Sequence, residues 1–242
     1  TMAALAATRH VLCEKPMALN SAEALEMTES AERAGVIHVI DHELRFNPNR
    51  ARIASLIADG SLGEVRHVVI TNIGPSWNDP ASRPKGDWWS LADQGGGRLG
   101  ANGSHQVDLL RWWLGEAAWV TGAAPVMVPG RRDTATGEAW TATADDVAYF
   151  TAEMANGAVA QVFLSGVAAH NMNNLTQVFG SKGTVTLTNE DERLWFARAG
   201  QAFEDITAID PNAALLGVNP GIWNVSVVGL LQELQAAIRE AR

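Results

Sequence analysis

The sequence predicts a chain in two parts: a parallel α/β segment over residues 1–43, then a mainly antiparallel α+β domain with an open sheet over residues 44–242. Three observations carry this. Two short apolar runs, Val11–Cys13 and residues 36–40, flank a helical stretch, and strand–helix–strand is the order that a parallel sheet requires. Beyond Asp41 strand-like segments dominate, at Val65–Ile73, Val147–Met154, 158–167, 174–179 and 184–188. Several of them are separated by turns such as Ala155-Asn-Gly157, a strong hairpin signal.

The elements follow in order. Residues 2–8 read as the tail of a helix. Asn20 caps the next helix, with Glu23 at capping-box spacing, and Gly35 supplies its stop. A further helix over Pro48–Ala58 ends at Gly60. Residues 74–97 are polar, carry Pro75, Pro80 and Pro84, and are long enough to form a functional loop. The run Leu109-Leu-Arg-Trp-Trp-Leu-Gly115 reads as an apolar helix whose Trp112 and Trp113 fill core.

Composition sets outer limits. The chain has 242 residues, 47% hydrophobic and 19% charged, enough for one large core or two modest ones. Its net charge is -9, and its 18 Lys and Arg are scattered, which argues against nucleic acid because phosphate binding needs clustered cations. No run approaches the roughly 20 apolar residues that span a bilayer, so no membrane partner is expected. The single cysteine, Cys13, suits a reducing compartment, and the cytoplasm is the expected location. It is read as a small buried residue rather than a reactive thiol. The open face of the sheet would expose a large apolar surface, so a homo-oligomer is expected.

Glu14-Lys15-Pro16 stands at the end of the first strand, where open α/β sheets bind ligands. A lysine held there can lend a charge and donors to a cofactor or a substrate oxygen, and Pro16 fixes the turn that aims it. A second segment, Gly95-Gly-Gly-Arg-Leu-Gly-Ala-Asn-Gly-Ser-His-Gln-Val-Asp108, leads into the apolar helix. His105 and Asp108 lie three residues apart, on one helical face. Such a pair also suits a metal, but no His-Glu-x-x-His partner motif accompanies it and none is expected. Arg45 and His42 follow the second strand. Trp88 and Trp89 lie in the long loop, where they offer an aromatic wall to a ligand. His170 and the run 171–174 offer hydrogen-bonding groups, though a turn rich in Asn needs no ligand to explain it.

Together these segments resemble the glucose-fructose oxidoreductase / inositol dehydrogenase / MocA family of nicotinamide-dependent oxidoreductases. In that family a Glu-Lys-Pro motif near the nicotinamide meets a glycine-rich loop leading into Asp-x-Gly-x-His-x-x-Asp. Arg45-Phe46-Asn-Pro48, Gly60-Ser-Leu-Gly-Glu64 and Phe179-Gly-Ser-Lys-Gly-Thr184 extend the likeness in the family's order. The resemblance implies that residues 1–43 are the C-terminal part of a Rossmann dinucleotide-binding domain and that residues 44–242 form the substrate-binding and oligomerisation domain. It also implies a fragment that lacks the Gly-x-Gly-x-x-Gly turn and the family's closing segment. Such a piece is expected to bind dinucleotide poorly and to be inactive alone.

The implied activity is hydride transfer between NAD or NADP and a sugar, polyol or related hydroxy compound. That chemistry needs an acceptor for the hydroxyl proton and a donor that stabilises the developing oxyanion. His105 is the candidate for the first role and Lys15 for the second. Glu14, Lys15, Pro16 and Arg45 are the candidate cofactor contacts; Trp88, Asn102, His105 and Asp108 are the candidate substrate contacts. Glu14 orients Lys15 or bonds the cofactor, against the ordinary surface ion pair that adjacency also gives. Ala101 stands where relatives carry an aspartate four residues before the histidine, so either Asn102 compensates or the branch differs in substrate or activity. Two alternatives stay open: an NAD-dependent glycosidase of the same family, and a non-catalytic relative that binds cofactor or sugar without turnover.

Overall fold

The computed structural model describes residues 1–172, 174–188 and 191–240, and these form two compact units. Thr1–Asn47 and the chain from Asp210 onward make the first; Pro48–Ile209 makes the second.

The first unit begins with a short helix α1 (Met2–Ala6), then β1 (Val11–Cys13), α2 (Ser21–Ala34) and β2 (His38–Ile40). Asn20 caps α2 as its spacing predicts: its Oδ1 accepts from the Glu23 backbone N–H at 3.0 Å, and the Glu23 carboxylate reaches back to the Leu19 N–H at 3.1 Å. Gly35 ends the helix at φ 61°, a left-handed conformation that costs a residue without Cβ nothing. β1 and β2 pair in parallel, Val11 beside His38 and Cys13 beside Ile40. The strand starts later than the apolar run suggests: the Ile37 N–H donates to His10 Nδ1 at 3.0 Å, while its carbonyl accepts from the Val11 N–H at 3.0 Å. Leu5, Val11 and Ala31 form a small core, with Ala4, Cys13 and Val36 packed against it. A 3-10 turn, Glu43–Phe46, follows β2.

The second unit opens with α3 (Pro48–Ala58) and β3 (Val65–Ile73), crosses the long loop with short 3-10 turns at Trp88–Ser90 and Ala92–Gln94, then forms a π-helical turn (Leu99–Gly103) that runs into α4 (Ser104–Leu114). Strands complete it: β4 (Ala117–Ala123), β5 (Gly130–Arg132), β6 (Ala139–Thr141), β7 (Val147–Met154), β8 (Val159–Ser165), β9 (Leu175–Gly180), β10 (Gly183–Thr188), β11 (Arg193–Arg198) and β12 (Glu204–Asp205). Eight strands join in one sheet in the order β12-β11-β10-β9-β3-β8-β7-β4, and β5 pairs with β6 as a separate ribbon. The pairing is antiparallel except between β3 and β8, where Thr71 lies beside Phe163 in a parallel register.

Alternation follows the pleat. On one face Val68, Ile70, Ala160, Val162, Leu164, Val178, Val185 and Leu187 are buried, each large aliphatic among them contributing about 1.5–3 kcal/mol. The opposite face presents a Tyr149–Phe163 stack with centroids 6.0 Å apart and a His67–Phe179 stack at 4.4 Å. β4 escapes the sequence pattern because it is an edge strand with every residue exposed, which leaves no buried alternation to read.

After Ile209 the chain returns to the first unit through a 3-10 turn (Pro211–Ala214) and α5 (Ile222–Glu240), which packs on the Glu43–Phe46 turn. Grouping all of 44–242 in one domain therefore differs from the observed units. Gly229 of α5 lies so close to Phe46 that a Cβ on it would stand 3.0 Å from the Phe46 Cβ, and Val225, Ser226 and Leu230 are buried. Among the described residues no helix is long and apolar enough to cross a membrane.

One buried ion pair organises the long-loop end of the sheet unit. Arg131 and Asp146, both buried, approach to 3.3 Å; Asp146 also accepts from the Met127 and Val128 N–H groups at 2.7 and 2.9 Å, and Arg131 donates to the Trp77 carbonyl at 2.6 Å. Asp146→Ala leaves Arg131 buried without its counter-charge and is expected to destabilise this unit by about 3–5 kcal/mol, read as a fall in the urea midpoint. Asn20→Ala removes one helix cap and should cost about 1 kcal/mol, measured the same way.

Candidate functional site

The first unit carries one group of candidate residues at the carboxyl ends of its two parallel strands. Because β1 and β2 are neighbours in register, the residues just past Cys13 and just past Ile40 emerge side by side, and the Asp41 N–H donates to the Cys13 carbonyl at 2.8 Å. Glu14, Lys15 and Pro16 leave one strand; Asp41, His42 and Glu43 leave the other. Lys15 and Pro16 are half-buried, Glu14 is exposed, and Asp41 and Glu43 are each only 6% exposed. Arg45 sits half-buried on the same 3-10 turn as Glu43.

Burial and mutual charge govern this cluster. Desolvation lowers the Lys15 ammonium below its ordinary range, and the carboxylates of Glu43, Glu14 and Asp41, in that order, hold it up. Glu43 is pushed up to about 7, first by burial and further by Asp41 and Glu14, against the opposing pull of a backbone hydrogen bond and of Lys15. Burial, then Glu14, raises Asp41, and Lys15 lowers it. Oδ1 of Asp41 is buried with no hydrogen-bond partner among the described residues.

The second unit carries another group of candidate residues where the glycine-rich loop becomes a helix. Gly96 and Gly97 have no room for side chains: a Cβ on Gly96 would strike the carbonyls of Trp88 and Trp89, and one on Gly97, at φ 111°, would strike Asp145 Oδ1. Asp145 receives the end of this loop, accepting from the Leu99 N–H at 2.8 Å while its carbonyl takes the Arg98 N–H at 2.8 Å. The π-turn then adds a residue per turn, a feature common at functional sites, and packs on β7 and β8.

Positions 102, 105, 106, 109, 110 and 113 follow as one buried stripe at helical spacing. Leu109, Leu110 and Trp113 make its apolar part; Asn102, His105 and Gln106, at 7%, 2% and 7% exposure, make its polar N-terminal end. Gln106 Nε2 points to Asn102 Oδ1 at a long 3.4 Å. Ala101 is half-buried, its N–H bonded to the Gly97 carbonyl at 2.9 Å, and Asp108, one turn past His105, is half-buried too.

Trp88 is 39% exposed and rests against Trp89, centroids 4.5 Å apart; its carbonyl is one of those against which Gly96 packs. Arg83, ion-paired to Asp87 at 3.1 Å, lies over the Trp77 and Trp89 rings at 5.3 and 5.5 Å, so Trp89 is engaged inside the loop. Trp112 is half-buried and Trp113 buried. Of the 171–174 run, Asn173 lies outside the described residues; Asn174 Oδ1 accepts from the Ile73 N–H at 2.6 Å, a structural duty.

Structure thus gathers Glu14, Lys15, Pro16 and Arg45 in the first unit, and Asn102, His105 and Asp108 on one helical run in the second. Sequence reading passed over Glu43, Asp41, Gln106 and Arg98. The parallel pairing held the signal for the first two, since whatever follows the second strand must emerge beside Lys15. Arg98 is half-buried, its pKa lowered by burial and by Arg83, and it donates to Asn72 Oδ1. Its side-chain placement leaves no trace in local sequence.

Comparison with known proteins finds matches in both parts of the chain. Residues 1–42 match the model described as oxidoreductase family, NAD-binding Rossmann fold, and residues 51–186 match the GFO/IDH/MocA C-terminal domain. An uncharacterized oxidoreductase of Synechocystis is 28% identical over 84% of this chain and 57% of its own length. Myo-inositol 2-dehydrogenase of Thermotoga maritima is 29% identical over 77% of this chain and 51% of its own. The chain spans about half the length of these curated relatives. An NAD binding oxidoreductase from Klebsiella pneumoniae superposes with a TM-score of 0.83 at 27% identity, over 97% of this chain and 66% of that one. With the family's C-terminal domain matched over more than half of its residues, the chain belongs to the GFO/IDH/MocA family of oxidoreductases.

Proposed function

We propose that this chain is part of an NAD(P)-dependent oxidoreductase that moves hydride between a nicotinamide cofactor and the CH–OH group of a sugar, polyol or related hydroxy compound. The observation that carries the reading is Lys15, half-buried at the carboxyl ends of two parallel strands in the segment that matches the NAD-binding model.

The donor set around it suits the nicotinamide end of the cofactor. Lys15 offers N–H donors to hydroxyl oxygens, while Glu14, Asp41 and Glu43 offer acceptors to ribose hydroxyls and to an amide. Three carboxylates would repel a pyrophosphate, so these residues fit the uncharged ribose and carboxamide rather than the phosphates. When bound, the cofactor supplies the hydride acceptor.

The chain's own residues have simpler duties. Lys15 directs its charge at the hydroxyl oxygen and favours the anion that forms there as the proton leaves. His105 accepts that proton in oxidation and returns it in reduction, which suits an imidazole near neutral pH. Asn102 and Asp108, one turn before and one turn after His105, bond neighbouring hydroxyls, and Trp88 offers an apolar face to a sugar ring. Arg45 and Glu14 hold the cofactor beside Lys15.

The exposed Tyr149–Phe163 face of the sheet pairs with a second copy of the chain, and the single thiol Cys13 suits a reducing, cytoplasmic setting. Light scattering on the intact protein should return a multiple of the monomer mass.

The direct test is titration of the intact protein with NADH and NADPH, followed by tryptophan-to-nicotinamide energy transfer, and then a screen of sugars and polyols. Lys15→Ala should weaken cofactor binding and lower kcat/KM by about 10²–10⁴-fold; His105→Ala should lower kcat by a similar factor and leave cofactor binding unchanged. Saturable binding without turnover on any alcohol or ketone would turn the reading toward a non-catalytic relative. Absence of binding would sink it.

A further inference from the structure

We propose that Glu43 is a positioning residue for Lys15: its buried carboxylate holds the Lys15 ammonium at the carboxyl ends of β1 and β2, and protonation of Glu43 releases that hold. The inference deepens the reading above and rests on it for the part Lys15 plays in turnover.

Placement singles out Glu43 from the other two carboxylates. Glu14 is exposed, so water screens its charge. Asp41 is as buried as Glu43, yet its influence on Lys15 ranks last of the three, and Glu43 ranks first. Glu43 also has the firmer mounting. It begins the 3-10 turn on which α5 packs, with Gly229 of α5 close against Phe46 at the end of that turn. Asp41 continues the ladder through its bond to Cys13, and its buried Oδ1 has no hydrogen-bond partner among the described residues.

Charge balance makes the carboxyl a switch. With Lys15 protonated and all three carboxylates ionised, the cluster would hold two net negative charges in partly desolvated surroundings. Taking up one proton relieves this, and Glu43 takes it at about 7. The charged groups that act on Glu43 are Asp41, Lys15 and Glu14. His42 precedes it, Arg45 shares its turn, and α5 carries Glu233, Arg239 and Glu240; none of these five is among the charges that move it. Above about pH 7 Glu43 is ionised and Lys15 is held in its charged form; below it the attraction is lost. Work at the reacting hydroxyl that depends on a fixed ammonium therefore strengthens as pH rises through this value.

Lys15, Lys85 and Lys182 are the three lysines of these residues, so ¹³C reductive methylation gives a spectrum in which Lys15 is assigned by Lys15→Arg. In the intact wild-type protein, without cofactor, the Lys15 methyl resonance should show a second inflection near pH 7 in addition to its own titration. Glu43→Gln should abolish that inflection and move the Lys15 titration downward, and Glu43→Asp should restore part of both. In the pH profile of kcat/KM, Glu43→Gln should cost about 10- to 100-fold at pH 8 and far less at pH 6, because wild type has itself lost the interaction there. An unperturbed Lys15 titration in wild type between pH 6 and 8 overturns the inference even if the variant does not fold. A Lys15 titration that responds to Glu43 while the acidic limb of kcat/KM stays unchanged overturns it as well. Indifference of activity to Lys15→Ala would instead strike the functional reading, with the coupling of the two side chains left measurable by resonance.

Discussion

Parallel pairing of β1 and β2 is the constraint on which the chemistry of the first unit depends. In a parallel pair the strand ends point the same way, so the segments that leave them must share space. Here those segments carry one ammonium and three carboxylates within a few residues, and the 2.8 Å bond from Asp41 to Cys13 leaves them little freedom to part. Desolvation is the largest influence on Lys15, Asp41 and Glu43. It pushes Lys15 down and Asp41 and Glu43 up, each toward its uncharged form, while opposite charges resist. A lysine whose ammonium is poised in this way suits work on a hydroxyl proton better than a solvated surface lysine does.

A comparable logic of crowding shapes the second unit. Gly96 and Gly97 let the backbone pass against two tryptophan carbonyls and Asp145, and Asp145 in turn satisfies the N–H groups where the loop turns into a helix. The π-turn that follows places Asn102 on the buried side one turn ahead of His105. Three polar side chains, Asn102, His105 and Gln106, thereby occupy the end of a stripe that is otherwise leucine and tryptophan. Burying such groups costs free energy unless hydrogen bonds satisfy them, and Gln106 meets Asn102 at 3.4 Å. Ala101, within the π-turn, bonds its N–H to the Gly97 carbonyl.

Much of this was legible in residue order. Asn20 with Glu23 and Gly35 bounded α2, and strong alternation bounded β3 and β7, because local hydrogen bonding and the pleat leave direct traces in sequence. β4 left none, since an edge strand exposed along its length obeys no burial pattern. The parallel β3–β8 pair could not be read either, because strand direction depends on the path of everything between the two. For the site, Lys15 and His105 stood out through motifs. Glu43 did not, although it lies only two residues past Asp41, because its importance comes from a strand neighbour and not from a neighbour in sequence.

What the sequence by itself determined is the bounds of the capped and alternating elements, the two motif-bearing segments and the family resemblance, since these rest on local patterns of glycine, proline, caps and alternating burial. Tertiary structure alone decided which carboxylates surround Lys15 and how deeply. It also decided that α5 returns to brace the turn beneath Glu43, and that one face of the sheet stays open. The physical reason is that ionisation depends on solvent and on charges brought close through space, and segments as distant in the chain as those around Phe46 and Gly229 meet only once the chain is folded.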